Sequence, residues 1–357
     1  MITISCLCGA AQQTVFPPPH HPHSWPTVNF CHCDSCRYLS GQLYTTYTPI
    51  TQPSLAGLTI YSSSGTSTRY FCSTCGCHIF RYSQANGWEI ATGAITSSPP
   101  LNNPPEIQHQ HIPSDGGLSI WLPKSSPSST HPKPSLPQST PSNSSPTLSA
   151  SCHCSRITFT ITRPSRESTL PHSNYADLLI PYRDNPPSTL HTETDEELSQ
   201  YKYLAGTCAC RSCRLASGFE IQTWTFVPRV NMLMNIPSWA GNGSSSDADA
   251  AKMTLPLDFS ALPQGLLKSY RSSAAAVREF CPTCGATVFW HDFERPDLID
   301  VSVGLLRCPS GARAEPFLHW WTDRTSFSEE SRAGRSGGIA DWAEHLINNL
   351  EAGMRDA

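Results

Sequence analysis

The stretch Cys208-Ala209-Cys210-Arg211-Ser212-Cys213 places three thiols within six residues, in a C-x-C-x-x-C spacing. An earlier stretch, Cys31-His32-Cys33-Asp34-Ser35-Cys36, has the same spacing. Three soft ligands this close together can hold one tetrahedral cation and leave its fourth position to another group. Structural zinc takes four protein ligands, whereas catalytic zinc keeps three and an exchangeable fourth. Each triplet therefore predicts either part of a closed structural site or a complete open site.

The two triplets belong to a repeat that runs through the chain. In each copy a C-x-C pair precedes the triplet. The triplet is followed by a C-x-x-C-Gly sequence, and then by an apolar run that ends before a glycine. The flanking pairs are Cys6 and Cys8 with Cys72 and Cys75, then Cys152 and Cys154 with Cys281 and Cys284. Four blocks in the same order indicate a tandem duplication. The runs beside the blocks are short, β-branched and aromatic, which predicts mainly β domains.

The repeat divides the chain into a first domain, 1–124, and a second domain, 150–330, with insertions near 165–200 and 230–262. Between them, 19 of the 25 residues from 125 to 149 are Ser, Pro or Thr. Such a segment cannot bury enough apolar surface to fold, so we predict a disordered linker. In the tail, 331–357, apolar residues recur at helical spacing after two glycines, which predicts an amphipathic helix on the second domain. A short helix is also predicted near 195–201.

Composition narrows the classes of function. The net charge is −4 and Lys and Arg do not cluster, so nucleic-acid binding is not expected. No apolar run approaches the ~18 residues of a membrane span. The first residues lack the features of a signal peptide, and we expect a cytoplasmic protein. There, the 16 cysteines are expected to bind metal rather than pair, with disulfides or an iron–sulfur cluster as alternatives.

Each copy contributes seven of these cysteines, and seven is most simply divided into four and three. One closed four-thiolate site and one open three-thiolate site per domain would take about two zinc ions. Spacing does not say which thiols share an ion. Cys77 and Cys308 lie outside the repeat and are expected to be small buried thiols. His32 and His153 lie between ligand cysteines, so in an extended chain their side chains should point away from the metal, towards solvent.

The order C-x-C, C-x-C-x-x-C, C-x-x-C-Gly resembles the glutathione-dependent formaldehyde-activating enzyme family, also called the CENP-V/GFA family. The resemblance covers about 5–124 and 150–330, and implies a mainly β, Mss4-like tent fold for each domain. It also implies which cysteines share an ion. The structural sites would be Cys6, Cys8, Cys72 and Cys75, and Cys152, Cys154, Cys281 and Cys284. The catalytic sites would be Cys31, Cys33 and Cys36, and Cys208, Cys210 and Cys213.

The same resemblance implies a carbon–sulfur lyase that condenses glutathione, as co-substrate, with formaldehyde, so small thiols and aldehydes would be the substrates. Three thiolates around Zn²⁺ leave a net charge of about −1, which suits binding a further thiol better than making hydroxide. Glutathione carries carboxylates, so Arg37, Arg211 and Arg214 beside the triplets are candidates to bind it. With two of these arginines, the second copy is expected to be the active one. The alternative function is a non-catalytic, zinc-stabilised module that binds another protein.

Overall fold

The fold was analysed in a computed structural model, which describes residues 1–19, 27–101, 105–122, 146–169, 194–237 and 253–356. Within these residues the protein is mainly β, with 21 strands, four α-helices and short 3-10 turns. Most of the predicted linker and parts of both predicted insertions, 170–193 and 238–252, lie outside the described residues. No helix among the described residues is long and apolar enough to cross a membrane.

The first half of the described chain, residues 1–122, forms two sheets. Its strands are β1 (Ile2–Ile4), β2 (Gln13–Val15), β3 (Thr27–Cys31), β4 (Thr45–Pro49), β5 (Leu58–Ser64), β6 (Ser67–Cys72), β7 (His78–Ser83), β8 (Gly87–Ala91), β9 (Ile95–Ser97) and β10 (Glu106–Gln110). Three strands pair in the order β2-β1-β9, and seven pair in the order β10-β3-β4-β8-β7-β6-β5. The edge strand β10 runs parallel to β3, and the other pairs are antiparallel.

The second half, residues 146–356, also contains two sheets. Its strands are β11 (Thr147–Ser151), β12 (Thr158–Thr162), β13 (Tyr203–Cys208), β14 (Gln222–Pro228), β15 (Met232–Ile236), β16 (Met253–Pro256), β17 (Lys268–Arg271), β18 (Ala276–Phe280), β19 (Thr287–Asp292), β20 (Leu298–Ser302) and β21 (Leu318–Trp320). The orders are β11-β12-β15-β16 and β17-β18-β19-β20-β14-β13-β21. Read from its parallel edge strand β21, the larger sheet has the same order of strands along the chain as the larger sheet of the first half. Strand β11 also takes in the last residues of the predicted linker.

The helices are α1 (Asp34–Ser40), α2 (Asp195–Leu198), α3 (Arg211–Ser217) and α4 (Gly338–Arg355). Helices α1 and α3 begin inside the cysteine triplets. Cys33 and Cys210 are their N-caps, and each cap sulfur accepts a hydrogen bond from a backbone amide in the first turn. The C-cap of each helix is a glycine with a left-handed backbone, Gly41 (φ 80°) and Gly218 (φ 87°). Glycine is favoured at this position because a residue with a Cβ atom is strained in that conformation.

The two halves face one another through matching contacts. The amide of Gly304 donates to the carbonyl of Gly41 (3.0 Å), and the amide of Gly93 donates to the carbonyl of Gly218 (2.9 Å). A Cβ at Gly93 would lie 2.5 Å from the backbone of Gly218, so the chains can approach this closely only at glycine. Apolar side chains of both halves form one continuous buried cluster. The halves therefore share a core instead of lying side by side.

The sequence suggested that the C-terminal helix packs on the second half, but the helix contacts the first half as well. The chain before α4 runs along β9, where Ser336 bridges Ser97, and the amide of Ile339 donates to Ser98 Oγ (2.9 Å). This pairing carries the helix onto the first half. At its far end Glu351 Oε1 accepts a hydrogen bond from the Thr325 amide of the second half (2.9 Å). Helix α4 thus bridges the two halves.

Candidate metal centres

Four clusters of cysteines stand out in the described chain. In each cluster the Sγ atoms all lie within 4.8 Å of one another. Two are four-cysteine clusters: Cys6, Cys8, Cys72 and Cys75 in the first half, and Cys152, Cys154, Cys281 and Cys284 in the second. Two are triplets: Cys31, Cys33 and Cys36, called the first triplet, and Cys208, Cys210 and Cys213, called the second triplet. These groupings coincide with those that the family resemblance implied.

The four-cysteine clusters join segments that are distant in sequence. Cys8 Sγ lies 3.5 Å from Cys72 Sγ, and Cys154 Sγ lies 3.5 Å from Cys281 Sγ. Sulfurs that bind one zinc ion tetrahedrally at about 2.3 Å lie about 3.8 Å from each other. The Cys152–Cys281 separation of 3.8 Å matches that value. Donor type, number and spacing therefore fit a closed zinc site that ties together the turns of each half.

Each triplet is built by a strand that ends where a helix begins. In the first, Cys31 is the last residue of β3, Cys33 caps α1, and Cys36 lies in the helix's first turn. The Cys36 amide donates to Cys33 Sγ (3.4 Å), and Cys31 Sγ lies 3.5 Å from Cys33 Sγ. In the second triplet, the Cys213 amide donates to Cys210 Sγ in the same way (3.2 Å). Three sulfurs per site fit zinc with one position open.

A buried arginine that the sequence did not predict as a site residue contacts each triplet. Arg69 Nη2 donates to Cys36 Sγ (3.4 Å), and Arg278 Nη2 donates to Cys213 Sγ (3.5 Å). Hydrogen bonds from the other two thiols of the triplet, and then the charge of Arg69, hold the pKa of Cys36 well below its usual value. The signal was present in the sequence: each arginine lies three residues before the first cysteine of the late C-x-x-C pair.

Histidines surround the first triplet without joining it. His111 Nδ1 lies 3.6 Å from Cys31 Sγ, but His111 is outside the group of mutually close ligand atoms. It has a left-handed backbone (φ 54°), which is uncommon for residues other than glycine. His32 does not ligate, yet it is buried rather than solvent-facing, and its Nε2 lies 2.9 Å from His109 Nδ1. Desolvation lowers the pKa of His32 to about 3.

His153 likewise stays outside the clusters of the described residues and is half-buried. It bonds Ser35 Oγ (2.9 Å) and the Tyr61 hydroxyl (2.7 Å), both in the first half. The two leftover cysteines differ from each other. Cys77 is buried, as expected, whereas Cys308 is only half-buried and its Sγ lies 3.0 Å from Ser310 Oγ. The expectation of two buried thiols is therefore wrong for Cys308, because Cys308 lines the cavity described next.

A cavity of about 430 Å³ adjoins the first triplet. From the first half it is lined by residues of α1 and of the chain after β10, including Cys33, Arg37 and His111. From the second half it is lined by the loop after β20, including Cys308 and Ala312. The first triplet thus has space beside it for a molecule larger than a single reacting group.

The second triplet has different surroundings. Cys208 and Cys213 pack with Trp224, Phe226 and Trp290 in an apolar cluster. The segment before α4 lies across the start of α3, where Glu330 Oε2 accepts a hydrogen bond from the Arg211 amide (3.0 Å). The corresponding position on α1 of the first half is Asp34, which lines the cavity.

The predicted substrate role of Arg214 is contradicted by its contacts. Its side chain is buried, and it donates to the carbonyls of Gly93 (2.7 Å) and Ala333 (2.9 Å). Successive helical residues point about 100° apart, so Arg214 turns from the face of Cys213 into the contact between the halves. Arg211 is exposed and its side chain lies against Gly334. The reason for expecting the second copy to be the active one is therefore removed.

Some of the side-chain nitrogens of Arg37 likewise bond to other parts of the protein. It is buried, its Nη2 donates to the Leu306 carbonyl (3.1 Å), and its Nη1 lies 3.3 Å from Asp34. Unlike Arg214, it also lines the cavity beside its own triplet. Of the three predicted arginines, Arg37 is the one that the cavity lining includes.

Residues 1–110 match the model of a family described as glutathione-dependent formaldehyde-activating enzyme. The matched segment contains both cysteine clusters of the first half and Arg69, and it ends just before His111. The second half lies outside this match. No curated protein and no solved structure matches the chain, so the Mss4-like fold stays a prediction.

Proposed function

We propose that the protein is a zinc enzyme of the carbon–sulfur lyase type, which adds a glutathione-like thiol to an aldehyde such as formaldehyde. The first triplet would be the reacting site. The observation that carries this proposal is a cluster of three thiols that lies within the segment matching the family and adjoins a cavity. In the reaction the thiol sulfur donates an electron pair to the carbonyl carbon, so a carbon–sulfur bond forms while the carbonyl π bond breaks and its electron pair moves to the oxygen. The carbonyl oxygen takes up a proton, and the thiol loses one.

Zinc held by Cys31, Cys33 and Cys36 would bind the substrate sulfur as a thiolate, which is a much stronger nucleophile than a thiol. The side chains around the triplet have complementary tasks. Arg69 places a positive charge against Cys36 and so offsets the negative charge of the thiolates. The imidazole of His111, beside Cys31 and on the cavity wall, is placed to accept the proton that the thiol loses. The cavity holds the thiol in place, which turns a bimolecular step into a local one.

The four-cysteine clusters have a different task in this proposal. Each has all four thiols from one half and no position left for a substrate, so zinc there would stabilise the fold. The second triplet can bind zinc as well, but the segment before α4 is hydrogen-bonded to the start of α3 beside it. We therefore assign the reaction to the first half and leave the second triplet without a catalytic role.

The test is the rate of S-hydroxymethylglutathione formation from glutathione and formaldehyde, measured by exchange NMR with ¹³C-formaldehyde. We expect the zinc-loaded protein to exceed the uncatalysed rate, Cys33→Ser to lose that excess, and Cys210→Ser to keep it. Loss only in Cys210→Ser would move the site to the second half. A parent protein with no excess rate would favour the alternative, a non-catalytic zinc-stabilised module that binds another protein.

A further inference from the structure

We infer that the cavity beside the first triplet is a substrate site shared by both halves, in which the second half selects the body of the thiol. This inference rests on the proposed function and extends it: the first half would bind the sulfur, and the loop 308–312 of the second half would recognise the rest of the molecule. The ligand class is a thiol with a polar body, in contrast to a small thiol without one.

The cavity walls come from both halves. Cys33, Arg37 and His111 line it from the first half, and Cys308, Pro309 and Ala312 line it from the second. Its volume of about 430 Å³ falls in the range of ~300–1,000 Å³ that small-molecule sites occupy. A thiol whose sulfur lies at the triplet would therefore extend its body between the halves.

The part of the cavity wall that the second half contributes is flanked by hydrogen bonds to the first half. Arg37 donates to the Leu306 carbonyl (3.1 Å) just before the loop. Just after it, the Arg313 amide donates to Asp115 Oδ2 (2.7 Å), and Arg313 Nη1 donates to the Gly117 carbonyl (3.0 Å). A loop fixed at both ends is pre-organised, so a ligand would not have to order it on binding.

One residue on the cavity wall, Arg37, carries a buried nitrogen, Nε, that lacks a hydrogen-bond partner in the described part of the chain. Buried polar groups are, as a rule, hydrogen-bonded. The guanidinium of Arg307 also lies 3.9 Å from the centre of the Tyr38 ring, and Tyr38 lines the cavity. A polar ligand with carboxylate or amide groups fits these surroundings better than an apolar one.

The second triplet provides an internal contrast. At the matching place on α3, the chain itself occupies the space: Ala333 accepts from Arg214 (2.9 Å) and Gly334 packs against Arg211. The corresponding residues of α1, Arg37 and Asp34, line the cavity instead. The two halves thus differ at this point: the chain lies against the start of α3, whereas the matching residues of α1 line a cavity.

The test compares two thiols of different size at the same metal. In a Cys210→Ser background, cobalt replaces zinc, and the visible absorption of the first site reports binding of glutathione or 2-mercaptoethanol. Pro309→Trp adds bulk at an exposed position of the wall. Pro256→Trp is the control, since Pro256 is exposed in the same half but does not line the cavity.

We expect Pro309→Trp to weaken glutathione binding roughly tenfold or more, because the cavity is overfilled, and to leave 2-mercaptoethanol binding unchanged. The control should bind both as the parent does. If Pro309→Trp binds glutathione like the parent, or loses both thiols equally, the shared site is wrong while the proposed function stands. If neither thiol binds the parent protein, both proposals fail.

A second measurement needs no substitution in the wall. Glutathione in the cavity should slow hydrogen–deuterium exchange in the loop 308–312 of the zinc-loaded protein, followed by peptide mass spectrometry, and 2-mercaptoethanol at equal occupancy should not. Equal exchange with and without bound glutathione would overturn the shared site.

Discussion

Arg69 Nη2 lies 3.4 Å from Sγ of Cys36, and both residues are buried. Arg278 and Cys213 form the same pair in the second half, at 3.5 Å. A buried guanidinium costs desolvation free energy unless an anion compensates it, and a cluster of three thiolates is such an anion. With zinc bound, three thiolates and one arginine would bring the site close to neutral, so that it could accept one further anionic sulfur.

We expect Arg69→Gln to weaken metal binding at the first triplet by roughly 10–100-fold, the usual effect of losing a residue that hydrogen-bonds a metal ligand. Zinc affinity would be measured by competition with a chromogenic chelator in the Cys210→Ser background. The control is Arg332→Gln, which removes the same charge from an exposed pair with Asp341 and Glu344. Equal affinities in the two variants would show that Arg69 does not support the site.

Zinc content tests the division of the cysteines. We expect about four ions per chain when the four clusters are full, one for each group of mutually close thiols. Because a closed site has no exchangeable position, a chelator should remove about two ions early, from the triplets, and the others only as the fold is lost. Elemental analysis during dialysis against the chelator gives both numbers. Two ions or fewer at saturation would contradict this division.

The sequence predicted the cysteine clusters well because their ligands come in short, repeated spacings. Spacing alone left the sharing of ions open, and the family resemblance supplied a grouping that the structure matches. The arginines were harder to place. Arg214 follows a triplet cysteine in the sequence, yet it contacts Gly93, more than a hundred residues away. Arg69 lies far from its triplet in sequence and contacts it directly. Proximity in sequence was therefore misleading in both cases.

The contact between the halves was also beyond sequence reasoning. It is made largely by glycine backbones and buried polar pairs, such as Gln42 Nε2 to Gln222 Oε1 (2.6 Å), which have no periodic signal. The cavity depends on this contact, because one of its walls belongs to the other half. The placement of α4 depends on Ser336 pairing with Ser97. Each of these features follows from how the copies face each other, which a repeat in the sequence does not specify.

We expect Cys281→Ser to unfold the second half and Cys213→Ser to leave it folded. Cys281 belongs to a cluster that ties the turn after β11 to the turn after β18, and zinc binding there would be part of the folding free energy. Cys213 belongs to a triplet within one strand–helix connection, so its loss should affect ligand exchange more than the fold. Thermal unfolding followed by circular dichroism compares the two variants, and equal destabilisation would refute separate tasks for the two kinds of cluster.

Acid should destabilise the protein in part through His78. Its Nε2 donates to the Leu39 carbonyl (3.1 Å), and burial, followed by the charge of Arg69, lowers its pKa to about 3. The unfolded chain binds this proton near pH 6.5, whereas the folded chain does so only near pH 3. His78 therefore stabilises the fold above pH 6.5, and this stability is lost as the pH falls towards 3, by about 1.4 kcal/mol per unit.

The variant His78→Gln should have a shallower dependence of unfolding free energy on pH between 6.5 and 4 than the parent. Urea unfolding at several pH values gives the two slopes, and their difference removes the common effect of acid on the cysteine clusters. His345→Gln is the control, because His345 is exposed on α4. If His78→Gln retains the parent slope, His78 does not carry this part of the acid sensitivity.

The last prediction concerns the two halves after cleavage of the chain between them. A protease site inserted in the 125–145 segment should be cut without separating the halves, because they share a core and paired backbone groups. Size-exclusion chromatography should show one particle until denaturant is added. Gly304→Ala should weaken this association, since its Cβ would overlap the backbone of Gln42, and overlaps of this kind typically cost about 1–3 kcal/mol. Gly65→Ala is the control, because its Cβ would meet nothing within 4 Å. Separation of the cleaved parent protein into two stable fragments would show that the halves are independent domains, as the sequence alone suggested.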